Sequence, residues 1–200
     1  MAEELTREKA NAYMEREGQI RGTALKNYAD FILADSGEGS LKKVERITEK
    51  VGHPLKYREL KGMSFYPLGY LPLTVAAIRE ALGYGEERLY RMGGFVPKVS
   101  IILKLFLKFF VSLERVAREA PKIWEKYYTV GSLKVSELNE KEKYLVLDLK
   151  GFSSHPLHCS HILSGYFAQV VQMVLGQEVT AKEVKCPNRG DSFHQYRLEW

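Results

Sequence analysis

The last stretch of the chain, Glu183 to Trp200, reads EVKCPNRGDSFHQYRLEW and holds the residues with the plainest chemical use. Pro187-Asn188-Arg189-Gly190-Asp191 is a run of turn formers, which folds the chain back on itself. Cys186 and His194 then meet at the mouth of one hairpin, with Glu183 on the same strand as Cys186. The other cysteine, Cys159, falls in the first turn of an expected helix. Cysteine sulfur, histidine nitrogen and carboxylate oxygen are ligands that zinc takes at the corners of a tetrahedron. Cys159, Glu183, Cys186 and His194 are therefore the candidate ligands of a structural zinc ion, with no position left open for a catalytic water. The spacing is not that of paired CxxC knuckles. Two readings compete: a Cys159–Cys186 redox pair, and buried, inert thiols with His194 on the surface.

Other clusters are weaker. His155-Pro-Leu-His158-Cys159-Ser-His161 gathers three histidines, and imidazole suits iron, copper and zinc. Solvated histidines at a helix start explain the same string. Ser153, Ser154 and Ser160 lie near histidines, but nothing supplies an orienting acid or a sharp strand–turn–helix, so no hydrolase triad is read. Gly83-Tyr-Gly85 and Gly93-Gly94 precede no Lys-Ser/Thr and form no phosphate loop. No catalytic set emerges, and the chain is read as not an enzyme.

The elements that must position these residues change character along the chain. Thr6 caps a first charged helix, and apolar residues recur at helical spacing over residues 23–34, 41–51, 73–82, 85–93 and 97–120. Ser40 is expected to cap the second of these, and Gly93-Gly94 to bend the chain between the last two. Residues 63–72 carry too much proline and glycine to be regular. Strands follow at 132–138 and 143–149, then an amphipathic helix at 157–175, then strands at 179–185 and 192–199. The fold class is α+β, with an antiparallel sheet of two C-terminal hairpins covered by helices and a helical N-terminal two-thirds. Residues 1–20 read as an N-terminal helical arm, and residues 21–200 as a single ligand-binding, sensor-like domain.

With 200 residues, 45% of them hydrophobic and 28% charged, the chain can build a core without disulfides or metals. The net charge of +5 is spread over separate lysine and arginine pairs interrupted by acids, so no nucleic-acid partner is expected. The N-terminus lacks an apolar signal core, which makes the cytoplasm the expected compartment. The longest apolar stretch, Val99 to Leu113, is broken by Lys104 and Lys108 and is too short to cross a bilayer. As a helix it needs cover on nearly every side, from a second subunit or as the wall of an apolar pocket. Phe65, Tyr66, Tyr70, Phe106, Phe109, Phe110, Trp124 and Tyr127 are the candidate pocket aromatics, with a small hydrophobic molecule as ligand and a homodimer as the expected assembly.

From Cys159 to the end the chain resembles the 4-vinyl reductase domain family. Cys159, Gly165-Tyr166, Leu175-Gly176, Glu183, Cys186, Gly190 and Asp191 match its C-terminal pattern, and His194 stands where a third cysteine is expected. Further upstream, Gly22-Thr-Ala-Leu-Lys-Asn, Phe65-Tyr66-Pro67-Leu68 and the run from Trp124 to Gly131 resemble a related bacterial group. That group shares the fold of the superfamily containing haem nitric-oxide sensors and small transport-particle (TRAPP) subunits. In sensor members of the family the acid and cysteines bind zinc, so the resemblance implies the same of the four candidate ligands. It also implies helix-mediated dimers and small hydrophobic ligands. The haem sensors' Tyr-x-Ser-x-Arg signature is absent, which ranks haem below zinc as cofactor. The functional expectation is a non-catalytic small-molecule sensor domain acting through a signalling partner protein. A scaffold or adaptor subunit is the alternative, and a tetrapyrrole-binding protein or enzyme comes third.

Overall fold

A computed structural model describes residues 4–99 and 112–200, which divide into two compact units. The first comprises Met1–Gly85, Tyr127–Val130 and Ser153–His155; the second comprises Glu86–Lys126, Gly131–Phe152 and Pro156–Trp200.

In the first unit the chain forms α1 (Arg7–Met14), β1 (Gln19–Arg21), α2 (Gly22–Ser36), α3 (Glu38–Lys50), β2 (Phe65–Pro67) and α4 (Tyr70–Leu82). Thr6 caps α1 as its sequence position predicts, its hydroxyl accepting from the Lys9 amide at 3.3 Å. Residues of the expected N-terminal arm belong to this unit, where α1 packs on α4. Gly37, at φ 78°, ends α2 and starts α3 in one step. Ser40 is therefore not a cap. It lies inside α3, and its hydroxyl donates to the Ser36 carbonyl at 2.9 Å. The stretch read as irregular contains the short β2, which pairs antiparallel with β1. Three residues are too few for a period of two to show in sequence. Leu25, Ile32, Leu71, Leu73 and Ile78 fill the core. Tyr57 is buried among them, its hydroxyl donates to Thr74 at 2.9 Å, and burial pushes its phenol well above the ordinary range.

The second unit contains α5 (Glu86–Val99), α6 (Leu113–Tyr127, to Lys126), β3 (Ser132–Asn139), β4 (Tyr144–Lys150), a π-helical turn (His158–Leu163), α7 (Ser164–Leu175), β5 (Thr180–Lys185) and β6 (His194–Glu199). The four strands form one antiparallel sheet in the order β3-β4-β6-β5. Leu133, Leu145, Leu147, Leu149, Tyr196 and Leu198 are buried at alternate positions, and α7 packs on β5 and β6. This is the expected α+β architecture.

The bend expected at Gly93-Gly94 is a helix crossing instead. α5 runs through both glycines and through Pro97. A Cβ on Gly93 would overlap the Ile162 carbonyl, and one on Gly165 would overlap the Tyr90 carbonyl, so α5 meets the π turn and α7 backbone to backbone. Most of the apolar stretch 99–113, with Phe106, Phe109 and Phe110, lies outside the described residues.

Candidate functional site

The hairpin β5–β6 is built as its turn residues predict. Pro187–Arg189 make one 3-10 turn, and Gly190 takes φ 96°, a left-handed conformation that glycine adopts without strain. The Asp191 carboxylate accepts the Cys186 amide at 2.7 Å, and the Asp191 amide returns to the Cys186 carbonyl at 3.2 Å. A bulge after Glu183 lets β5 regain its register at Lys185.

This geometry brings three of the four predicted ligands together. One ligand atom each from Glu183, Cys186 and His194 lies within 4.8 Å of the other two, and all three residues are buried. Cys159 is fully buried in the π turn but is not in that group. Both cysteines are thiols, so no disulfide joins them.

The three residues also bond to one another and to their surroundings. His194 Nδ1 lies 2.7 Å from Glu183 Oε1, and Nε2 lies 3.2 Å from the Phe152 carbonyl oxygen. Two contacts thus hold the buried ring in place, one to a side-chain carboxyl and one to a main-chain carbonyl. Burial pushes the Cys186 thiol up, and the Glu183 carboxylate beside it pushes in the same direction. Asn188 Nδ2 donates to Cys186 Sγ at 3.6 Å, and the Arg189 guanidinium donates to the Glu183 carbonyl at 3.4 Å. Glu183 Oε2, buried, has no hydrogen-bond partner; Arg189 Nη1 approaches it to 3.8 Å. The arrangement is a hydrogen-bonded clasp across the hairpin. Metal binding would require His194 to give up an acceptor and Cys186 to lose its proton.

The histidine string is dispersed. The His155 ring stands edge-on to Tyr13 at 6.4 Å in the first unit, while His161 faces Glu86 at 3.8 Å in the second. His158 is fully buried, its ring 6.1 Å from that of Phe152. The pocket aromatics are divided too. Phe65 carries the Arg21 guanidinium at 4.7 Å and the Tyr66 hydroxyl accepts the Lys61 amide at 2.8 Å. With Tyr70 and Tyr127 they belong to the first unit. Trp124, in the second, is buried edge-on to Phe152 at 5.0 Å. Sequence reasoning missed the Phe152 carbonyl, which no side-chain pattern announces. Asp191 was read as a turn former, but its carboxylate bond to the Cys186 amide was not foreseen.

No protein-family model and no curated protein matches the chain. Solved structures do. The Fe(II) form of an H-NOX protein from S. oneidensis, as a triple mutant, is 14% identical at TM-score 0.69, covering 90% of this chain and 95% of its own. The Fe(II)NO form from the same organism is 14% identical at TM-score 0.68, covering 90% and 98%. The unliganded Fe(II) H-NOX protein from K. algicida is 12% identical at TM-score 0.63, covering 90% and 96%. At this identity the likeness shows the fold alone, which is that of the H-NOX domains. It does not reach the 4-vinyl reductase family itself.

These neighbours correct the cofactor expectation. Ranking structural zinc first and haem behind it relied on a motif, and the proteins sharing this fold are iron and haem proteins. Among the described residues no helix is long and apolar enough to cross a membrane.

Proposed function

We propose that the chain is a non-catalytic small-molecule-binding domain of sensor type, acting through a partner protein. The observation that supports it is the H-NOX fold matched along 90% of the chain at TM-score 0.69. Haem is the first ligand to test, because the neighbours with this fold carry it. The donor chemistry present is compatible. His158 offers a buried imidazole against the Phe152 ring, in a π turn of the kind that recurs at functional sites. His53 and His194 are poorer donors, since His53 Nε2 is 2.7 Å from the Asn11 side-chain oxygen and His194 is held on both nitrogens. Haem, when bound, would supply iron as the point of attachment for a diatomic gas. Without a Tyr-x-Ser-x-Arg string, its propionates would be neutralised by other cations of the chain.

The test is a haem titration of the purified protein followed by visible absorption. Saturation at about one haem per chain, with a changed spectrum in His158→Ala, supports haem and the named ligand. If haem does not bind, native mass spectrometry for a co-purified apolar molecule is the second arm. A chain that retains neither loses the sensor reading to that of a scaffold subunit.

A further inference from the structure

The face of the four-stranded sheet opposite the buried leucines carries a pattern that the ligand-binding reading does not use. Strand alternation and register put Lys134, Asp148, Gln195 and Lys185 in one row across β3-β4-β6-β5. Arg197 and Lys182 pair in the next row, and Lys150 with Phe193 closes the end of the sheet. The acids of this face are already engaged. Asp148 accepts from Ser136 at 3.1 Å and from Gln195 at 2.9 Å, Glu199 accepts from Arg197 at 2.6 Å, and Glu137 accepts from the Tyr144 hydroxyl. Lys134, Lys150, Lys182 and Lys185 are exposed, and none forms an ion pair with a carboxylate among the described residues.

We propose that this face docks an acidic polypeptide segment of a partner protein, and the proposal rests on the reading of the chain as a domain that acts through one. Lys150 and Lys185 reach Phe193 from the strands on either side of β6, each ammonium 5.1 Å from the centroid of its ring. A carboxylate bound over that ring lies within reach of both long side chains. Glutamates at alternate positions of an extended segment are roughly 6.6 Å apart, a spacing long lysine side chains can follow from strand to strand. The same stacking argues against single-stranded nucleic acid. Bases bind by stacking on open aromatic faces, whereas Phe193 is engaged by two lysines and Tyr144 by the Arg197 guanidinium at 4.0 Å. Contacts of this exposed, charged kind act chiefly on encounter rate and selectivity, and weaken with salt.

The experiment titrates the isotope-labelled full chain with a synthetic decaglutamate peptide at low salt, following amide shifts and fluorescence anisotropy. Saturable binding is expected, with shifts confined to β3–β6 and affinity about tenfold weaker in Lys150→Glu/Lys185→Glu. The control pair Lys42→Glu/Lys43→Glu, on α3, should bind like the unaltered chain. Equal weakening by both pairs, or shifts scattered over both units, overturns the proposal. A decathymidine strand that binds more tightly than the peptide overturns it as well, in favour of nucleic acid. Haem or apolar-ligand uptake is read separately, so a failure of this surface is distinguishable from a failure of the sensor reading.

Discussion

The two hairpins of the four-stranded sheet bury opposite kinds of side chain under similar backbones. β3–β4 turns Leu133, Leu145, Leu147 and Leu149 inward, whereas β5–β6 and its turn bury Glu183, Cys186 and His194 beside Tyr196 and Leu198. The first hairpin is held by apolar burial, which is non-directional and tolerates repacking. The second is held by a buried hydrogen-bonded polar pair that is stabilising only while both partners are present. The same sheet therefore contains one half that resists error and one half that punishes it.

The sharpest way to break this comparison is to remove one partner of the pair. His194→Ala leaves the buried Glu183 carboxyl without its ring partner and should cost about 3–5 kcal/mol, read as a fall in the urea midpoint. Replacing both residues by leucine should restore most of that loss, because no buried polar partner is then left unpaired. A double variant weaker than either single one would show that the pair is itself strongly stabilising. In the apolar hairpin, Leu147→Ala should cost about 2–4 kcal/mol through the cavity it opens, and Leu147→Met less than about 1.5. The two hairpins thus differ in what rescues them: similar volume in one, removal of both polar partners in the other. Smaller still is Asp191→Ala, which deprives the buried turn of the acceptor for the Cys186 amide and should cost about 1–2 kcal/mol.

Much of this difference was legible in the sequence. Alternation in Tyr144-Leu-Val-Leu-Asp-Leu-Lys announces an apolar inner face, and Pro187-Asn-Arg-Gly-Asp announces the turn that brings Glu183, Cys186 and His194 together. The bonding of the trio was not legible. Ligand types name what a site can hold, but the acceptors that close His194 are a main-chain carbonyl from Phe152, 42 positions away, and a carboxylate. Cys159 shows the same limit, since a helix start near a hairpin does not fix a distance of a few ångströms. The glycines of α5 illustrate it again. Gly93-Gly94 looks like a hinge in sequence, and only the tertiary approach of the Ile162 carbonyl makes Gly93 a packing residue inside a continuous helix.

The smallest expected effect sharpens the protonated character of the second hairpin. Burial and the nearby Glu183 carboxylate both raise the pKa of the Cys186 thiol above its ordinary value. A thiol in the unfolded chain titrates near 8.5, whereas in the folded chain its proton is retained to higher pH. Between those two values the unfolded state binds fewer protons than the native state, so stability must fall as pH rises. Below the unfolded value both states hold the proton, and the contribution is constant. The comparison to make is between the unaltered chain and Cys186→Ala across pH 7 to 10, since lysines and tyrosines titrate alike in both. The difference in urea midpoint should stay flat to about pH 8 and then shift steadily in favour of the alanine variant. A shift in the opposite direction would mean that the folded chain prefers the thiolate. That would reopen the clasp to cation binding and remove the contrast between the two hairpins.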